Sequence, residues 1–448
     1  MTPGARVEAA IEILDAIAAG GRGRGSAPAD AVVNLYVRAR RYIGSKDRVA
    51  IAGLVYAVLR HRAQLDWWMT RTGKAAPGSR QRVLASLPLI HGWGISEIDE
   101  ACDGGKFRPT PLAAEERRTV AALAGRTVDH PDQPEAVRFN CPAWLLPALH
   151  ERFGEALDAE MDALAMPAPT DLRVNTLKGD REHAAAILAA GGIETAPTPL
   201  SPLGLRIEGR RNILAHEAFK TGLVEVQDEG SQLAALLVAA APGARICDFC
   251  AGAGGKSLAM AAAMENKGHI VACDVSGPRL DSAGKRLRRA GVHNVERRHL
   301  EGERDGWVKR HAGAFDRVLV DAPCSGTGTW RRNPDARWTL TEADVADLQA
   351  LQARILASAA RLVKPGGRLV YVTCSLLPAE NERQAEAFAA SSGFVPLPVA
   401  EIWRDVVGTA CPSSGPWLAL SPARHGTDGF FIAVFERRLP TESAPVPQ

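Results

Sequence analysis

The stretch Phe315-Asp-Arg-Val-Leu-Val-Asp321-Ala-Pro-Cys324-Ser-Gly-Thr-Gly-Thr-Trp330 decides the fold. Its run from Val318 to Val320 reads as a buried strand that stops at the Asp321 carboxylate, and Pro323 and a Gly/Thr-rich turn follow at once. In a parallel sheet, such a strand delivers the residues at its carboxyl end into a ligand crevice. Here it delivers an acid and a thiol three residues apart.

Outward from that strand, similar patterns recur at Arg245–Phe249, His269–Asp274, Val292–His299 and Arg368–Cys374. Helical patterns separate most of them, at Lys256–Met264, Arg279–Ala290 and Thr341–Val363. Strand–helix alternation predicts an α/β domain over residues 221–438, a doubly wound parallel sheet covered on both faces. A last strand, Gly429 to Phe435, is expected to close an antiparallel edge.

The first of these strands runs into Asp248-Phe-Cys250-Ala-Gly252-Ala-Gly254-Gly255-Lys256-Ser257. A phosphate-binding P-loop would need glycine where Cys250 stands, and a dinucleotide fingerprint would need it at Ser257. A carboxylate followed by a turn of small residues at a helix N-terminus fits S-adenosylmethionine, because the backbone can approach the methionyl part. At the end of the second strand, Asp274 can accept from both ribose hydroxyls. The plainer reading is a glycine turn that only packs strand on helix. On the cofactor reading the binding residues are Cys250, Ala251, Gly252, Ala253, Gly254, Gly255 and Lys256 of the turn, with Asp274. The fifth strand ends in Tyr371-Val-Thr-Cys374-Ser, so two neighbouring strands are expected to present thiols at one edge. A buried structural role is the usual fate of a lone cysteine, and Cys102 and Cys411 are read that way.

The rest of the chain bounds the possibilities. Its 448 residues suggest two or three domains, and 46% hydrophobic content is ample for packed cores. The longest apolar run, Leu233 to Ala241, stops at Pro242 and is too short to span a membrane. Glu8, Glu12 and Asp15 in the first helical pattern argue against a signal peptide, so the expected location is the cytoplasm. The eight cysteines should be reduced there. Cys247 and Cys250 form a C-x-x-C, but no second pair stands at a matching spacing, so no metal is expected.

Charge is uneven. Residues 1–90 hold 14 Lys and Arg against 6 Asp and Glu, a balance of +8, so the remainder carries −5 of the total +3. Residues 1–130 show helical stripes and no strand pattern. Ile11, Leu14 and Ala18 share a face widened by Ala10 and Ile17; Asp30 can cap a helix carrying Val33, Tyr36 and Val37; Ser45 and Asp47 start another with Val49, Ala52, Gly53, Tyr56 and Leu59 inward. Gly20 to Pro28 reads as a flexible loop. Arg38, Arg40, Arg41, Arg60 and Arg62 interleave with Tyr36, Tyr42, Trp67 and Trp68, a mixture suited to phosphate contacts and base stacking and equally to an ordinary solvated helix face. Residues 131–220 read as a small α+β connector. Helices are expected at 144–153, 157–165 and 181–190, a strand at 171–177 and short strands around Leu205 and Val224. Residues 439–448 are expected to be a disordered tail.

Asp321-Ala-Pro-Cys324-Ser-Gly-Thr-Gly, Thr373-Cys374-Ser, the turn from Asp248, Asn333-Pro-Asp335, Glu380-Asn-Glu382 and His425-Gly-Thr-Asp-Gly-Phe-Phe431 resemble the Sun/Fmu (RsmB-type) RNA cytosine-C5 methyltransferases. The stretch from Tyr42 to Arg60 is similar to the NusB-like RNA-binding domain of the rRNA-modifying branch. The resemblance implies a Rossmann-like, S-adenosylmethionine-dependent domain behind an all-α module at 1–130. It also implies a monomer without metal and a ribosomal RNA substrate, of the small subunit. It implies covalent catalysis: the Cys374 thiolate adds to cytosine C6, Asp321 bonds the N3 edge with a shared or held proton, and Cys324 assists removal of the C5 proton. Lys256 and the Arg331-Arg332 loop would meet RNA. Two departures stand out. The family's turn reads Cys-Ala-Ala-Pro-Gly-Gly-Lys-Thr where this chain has Gly252, Ala253 and Ser257, and losing the proline should soften it. The acid expected to face the adenine aligns best with Glu301, which the resemblance adds to the cofactor residues together with Arg279 and Asp321. The same chemistry on transfer RNA or another rRNA site, a DNA-type enzyme using Cys324 as nucleophile, or a non-catalytic RNA-binding factor remain as alternatives.

Overall fold

The computed structural model describes residues 1–21, 27–72, 77–209 and 211–439. Most of the expected flexible loop at 20–28 and nearly all of the expected tail lie outside the described residues. Contacts divide the chain into two compact units: residues 1–166 with 330–344, and residues 167–329 with 345–448.

The first unit is helical. Thr2 caps the helix Pro3–Ala19 by accepting from the Ala5 N–H, with proline at the first position, where no amide donor is needed. Val7, Ala10, Ile11, Ile13 and Leu14 face the core, whereas Ala18 is exposed. In the helix Ser45–Arg60, the inward stripe is Ile51, Leu54, Val55, Val58 and Leu59. Of the residues expected to face inward only Leu59 is buried, and Val49 is 55% exposed. Both stripes have helical spacing. The stripe with larger aliphatic side chains goes inside because each buried Leu, Ile or Val gains about 1.5–3 kcal/mol.

Residues 330–344 belong to this unit although they follow the Cys324 motif in sequence. Asp335 accepts from the Ala29 N–H at 3.0 Å, and the Trp338 indole donates to the Leu59 carbonyl. Arg337 is fully buried over the Trp330 ring and donates to the carbonyls of Asn140 and Leu164. Burial lowers its pKa to about 10.

The second unit holds two sheets. The smaller is antiparallel, in the order β2-β3-β1-β4, with β1 at Thr170–Val174, β2 at Thr195–Pro197, β3 at Gly204–Ile207 and β4 at Val224–Val226. The helix Arg181–Ala190, capped by Asp180, packs Ala184 and Leu188 against Leu172, Val174 and Leu205. The larger sheet contains β5 (Arg245–Asp248), β6 (His269–Asp274), β7 (Val295–His299), β8 (Phe315–Asp321), β9 (Val363–Thr373), β10 (Phe394–Leu397), β11 (Leu418–Leu420) and β12 (Phe430–Arg437). Its order is β10-β12-β9-β8-β5-β6-β7, with β11 also on β12. Strands β5 to β9 pair parallel, as the alternation predicts. The last strand is antiparallel to β9 but does not form the edge, because β10 pairs along its other side. The chain leaves β5 to one side for β6 and β7, and to the other for β8 and β9. The order therefore reverses between β5 and β8, which opens a crevice at their carboxyl ends. Among the described residues, no helix is long and apolar enough to cross a membrane.

Candidate active site

A cavity of about 490 Å3 occupies that crevice. Its floor is the turn after β5. Gly252 and Gly254 take positive φ of 55° and 77°, conformations that L side chains rarely adopt, so both positions need glycine. Hydrogen bonds pin this turn where the missing proline was expected to soften it. Ala251 N–H reaches the Cys273 carbonyl at 2.8 Å, and Arg286 holds the Ala253 carbonyl. Arg173, arriving from β1, donates to the Gly255 carbonyl and to Gln227. Full burial lowers its pKa to about 10, with Arg286 adding to the fall and Glu225 opposing it.

The acids take distinct positions. Asp274 spends one oxygen on the Gly252 N–H and the other on the Ser276 N–H, and it lines the cavity. Asp248 accepts from the Ser257 hydroxyl at 2.6 Å through one oxygen, while its other oxygen, buried at the cavity wall, has no partner. Burial raises its pKa to about 7, against the opposing Ser257 hydrogen bond. A buried acceptor without a donor suits a ligand carrying an ammonium group. With Phe249, Val275, Leu300 and Ile355 as apolar walls, these residues fit the amino-acid end, ribose and base of S-adenosylmethionine.

At the other end of the cavity the Lys256 ammonium meets the Asp321 carboxylate at 2.6 Å. Burial alone would lower the lysine pKa, but the carboxylate outweighs it and holds Lys256 above its ordinary value. The register pairs Asp321 of β8 with Val372 of β9, so the loops that follow these strands emerge side by side. Cys324 and Cys374 are thus brought to an Sγ–Sγ distance of 3.4 Å, both half-buried and both on the cavity wall. The hydrogen bond to Cys374, and then burial, hold the Cys324 thiol well above its usual pKa. Either sulfur can donate in this contact, so a thiolate formed at one would be held by the thiol of the other.

Of the expected cofactor residues, Cys250, Ala251, Gly252, Ala253, Gly255, Lys256, Asp274, Arg279 and Asp321 line the cavity. Gly254 does not; it sits behind the turn, where an added Cβ would come within 3.0 Å of Ala283. Glu301 also lies off the wall. Leu300 turns into the core, which sends the next side chain outward to solvent. Its neighbour Glu303 reaches the wall instead, paired with Arg354. Gln227 and Ser231 line the cavity as well, from a stretch that carries no motif. Cys102 is buried as expected, but Cys411 is only half-buried. Of the interleaved arginines and aromatics singled out above, Arg38, Arg41 and Tyr42 are exposed. Tyr36 is tied to Glu12 and covered by Arg40, Trp68 is buried and donates to the Val128 carbonyl, and Arg331 is buried.

Known proteins resemble this chain over most of its length. Residues 235–436 match a family model described as 16S rRNA methyltransferase RsmB/F, and residues 141–214 match the ferredoxin-like domain of RsmF/B-like methyltransferases. The chain is 36% identical over 413 residues to the probable ribosomal RNA small subunit methyltransferase B of Synechocystis sp., covering 86% of this chain and 90% of that one. It is also 36% identical over 405 residues to ribosomal RNA small subunit methyltransferase B of Xylella fastidiosa, covering 87% and 89%. The crystal structure of PH0851 superposes with a TM-score of 0.78 at 25% identity, over 98% of this chain and 99% of that one.

Proposed function

Because the chain belongs to the RsmB/F family of 16S rRNA methyltransferases, we propose that it methylates cytosine C5 in small-subunit ribosomal RNA through a transient bond to Cys374. The enzyme depends on S-adenosylmethionine, which when bound supplies an electrophilic methyl group. The observation that carries the reading is the pair of thiols 3.4 Å apart beside the Lys256–Asp321 ion pair, on the wall of the same cavity as the turn after β5.

Cytosine C5 is a poor nucleophile, and a thiolate adding at C6 makes it electron-rich. Cys374 forms the S–C6 bond, and the displaced π pair moves onto C5. Asp321 bonds the N3 edge, and the proton it needs there is shared from the Lys256 ammonium at 2.6 Å. After C5 has gained its methyl group, Cys324 helps to take the C5 proton. The electron pair of that C–H bond re-forms the C5–C6 double bond, and the S–C6 bond breaks to release Cys374. The base must leave its stack to reach a cavity of this kind.

Residues 1–130 act in this reading as the NusB-like RNA-binding module, with Arg38, Arg41 and Tyr42 as its exposed candidates. Residues 131–220 are the connector and 221–438 the catalytic domain. The enzyme works as a cytoplasmic monomer without metal. Bisulfite sequencing of total RNA from cells with and without the gene tests the assignment. A protected cytosine in small-subunit rRNA should disappear on deletion. Loss confined to transfer RNA, or to DNA, would overturn it.

A further inference from the structure

Glu380 stands in the loop that follows β9 and is completely buried, yet it touches nothing in the cavity. A buried carboxylate is costly unless donors surround it. Here they come from the residues next to the two thiols. One oxygen accepts from the Ser325 N–H at 2.9 Å and from the Gln352 side chain at 2.9 Å. The other accepts from the Ser325 hydroxyl and the Ser375 hydroxyl, each at 2.5 Å. Ser325 follows Cys324, and Ser375 follows Cys374. Gln352 also donates to the Pro323 carbonyl, just ahead of Cys324. The two loops are stitched again where Gly328 N–H meets the Cys374 carbonyl and where Leu376 N–H meets the Thr327 hydroxyl.

We propose that Glu380 is a positioning residue that clamps the loops after β8 and β9 and so sets the separation of the Cys324 and Cys374 sulfurs. This inference rests on the two-thiol reading of the site. Its logic is one of constraint. Both cysteines sit in loops, where side chains wander unless the backbone is fixed, and the reaction needs two sulfurs to act in turn on adjacent carbons of one ring. A single carboxylate that binds both flanking serines fixes both backbones against each other. The anionic charge makes each of those hydrogen bonds stronger than a neutral one would be.

The test uses a thiol ruler alongside turnover. Diamide joins two thiols held together: it takes one hydrogen from each and becomes the hydrazine while the S–S bond forms. In the full-length protein, Glu380→Ala should slow formation of the Cys324–Cys374 disulfide at least about tenfold. The variant's kcat should fall about a hundredfold, with KM for rRNA and affinity for S-adenosylmethionine within about twofold of the parent. A milder variant, Ser325→Ala with Ser375→Ala, removes only the two hydroxyl donors and should shift both readings the same way by about three- to tenfold. It serves if Glu380→Ala does not fold. Parent-like disulfide rates and kcat in the variants would overturn the proposal. So would a loss carried wholly by KM or by cofactor affinity, because that marks a general structural role. The disulfide rate needs no RNA, so it reports on the clamp even if the substrate assignment fails.

Discussion

Among its described residues the second unit holds two cysteine pairs in sulfur contact, and only one of them opens on the cavity. Cys247 and Cys273 lie on the paired strands β5 and β6 with their sulfurs 4.0 Å apart, and both are completely buried. Cys324 and Cys374 lie 3.4 Å apart in the loops just beyond β8 and β9, half-buried and open to the cavity. Burial is the leading cause that raises the Cys247 thiol, whereas for Cys324 it is the hydrogen bond to the partner sulfur. Residue type and pairing are the same in both. What differs is which side of the strand end the sulfurs occupy: inside it a thiol packs in the core, and a few residues beyond it a thiol reaches the cavity.

The largest effect should come from the second pair. Cys374→Ala removes the nucleophile, so methyl transfer should fall by about 10⁴-fold or more, with no covalent complex on a denaturing gel. Cys324→Ala leaves attack possible but hampers release, so incubation with RNA and S-adenosylmethionine should build up a protein–RNA adduct. The reverse pattern of bands would exchange the two roles.

One residue along β5 from Cys247, Asp248 marks the border between core and site, and Asp248→Asn measures its sharpness. Loss of the carboxylate should weaken S-adenosylmethionine binding by about 10- to 100-fold, the worth of one charge-assisted hydrogen bond, as read by calorimetry. The same change should stabilise the ligand-free protein. With a folded pKa of about 7 above an unfolded value of 3.8, the stability that Asp248 contributes is full below about pH 4 and lost as pH rises through 7. Urea midpoints should therefore favour the variant increasingly between pH 4 and 7, and by a constant amount above that. A gap that shrinks as pH rises would refute the buried-acid account.

The smallest effect belongs to the first pair. Cys247→Ala should cost about 1–2 kcal/mol of stability and leave kcat within about twofold. A large loss of activity with unchanged stability would bring that pair into the chemistry and erase the contrast.

Much of this site is legible in the sequence because it is local. The short apolar runs at β5, β6 and β8, the acids that end them and the small residues after β5 all carry their meaning locally. The thiols are legible because each lies within three residues of a strand's end. Other features depend on partners far along the chain. Arg173 reaches the Gly255 carbonyl across 82 positions, and Glu380 reaches Ser325 across 55, so neither pattern has a local signature. The outward turn of Glu301 follows from Leu300 taking the core position, a choice that alignment of acids alone does not reveal. The helix Ser45–Arg60 offers two apolar stripes, and only packing against the remaining helices decides between them.

The placement of residues 330–344 has a consequence for synthesis on the ribosome. Residues 1–166 emerge first, but the segment that puts Arg337 against Asn140 and Leu164 follows only after the intervening 167–329 have been made. At about 5–20 residues per second, that is a wait of roughly 10–30 s. Until then the helical unit lacks Trp330, Arg337 and the Asp335 contact to Ala29. Its completion is thus timed to the moment when β5 to β8 and the Cys324 loop already exist, and a gene cut after residue 166 would make a unit that never closes.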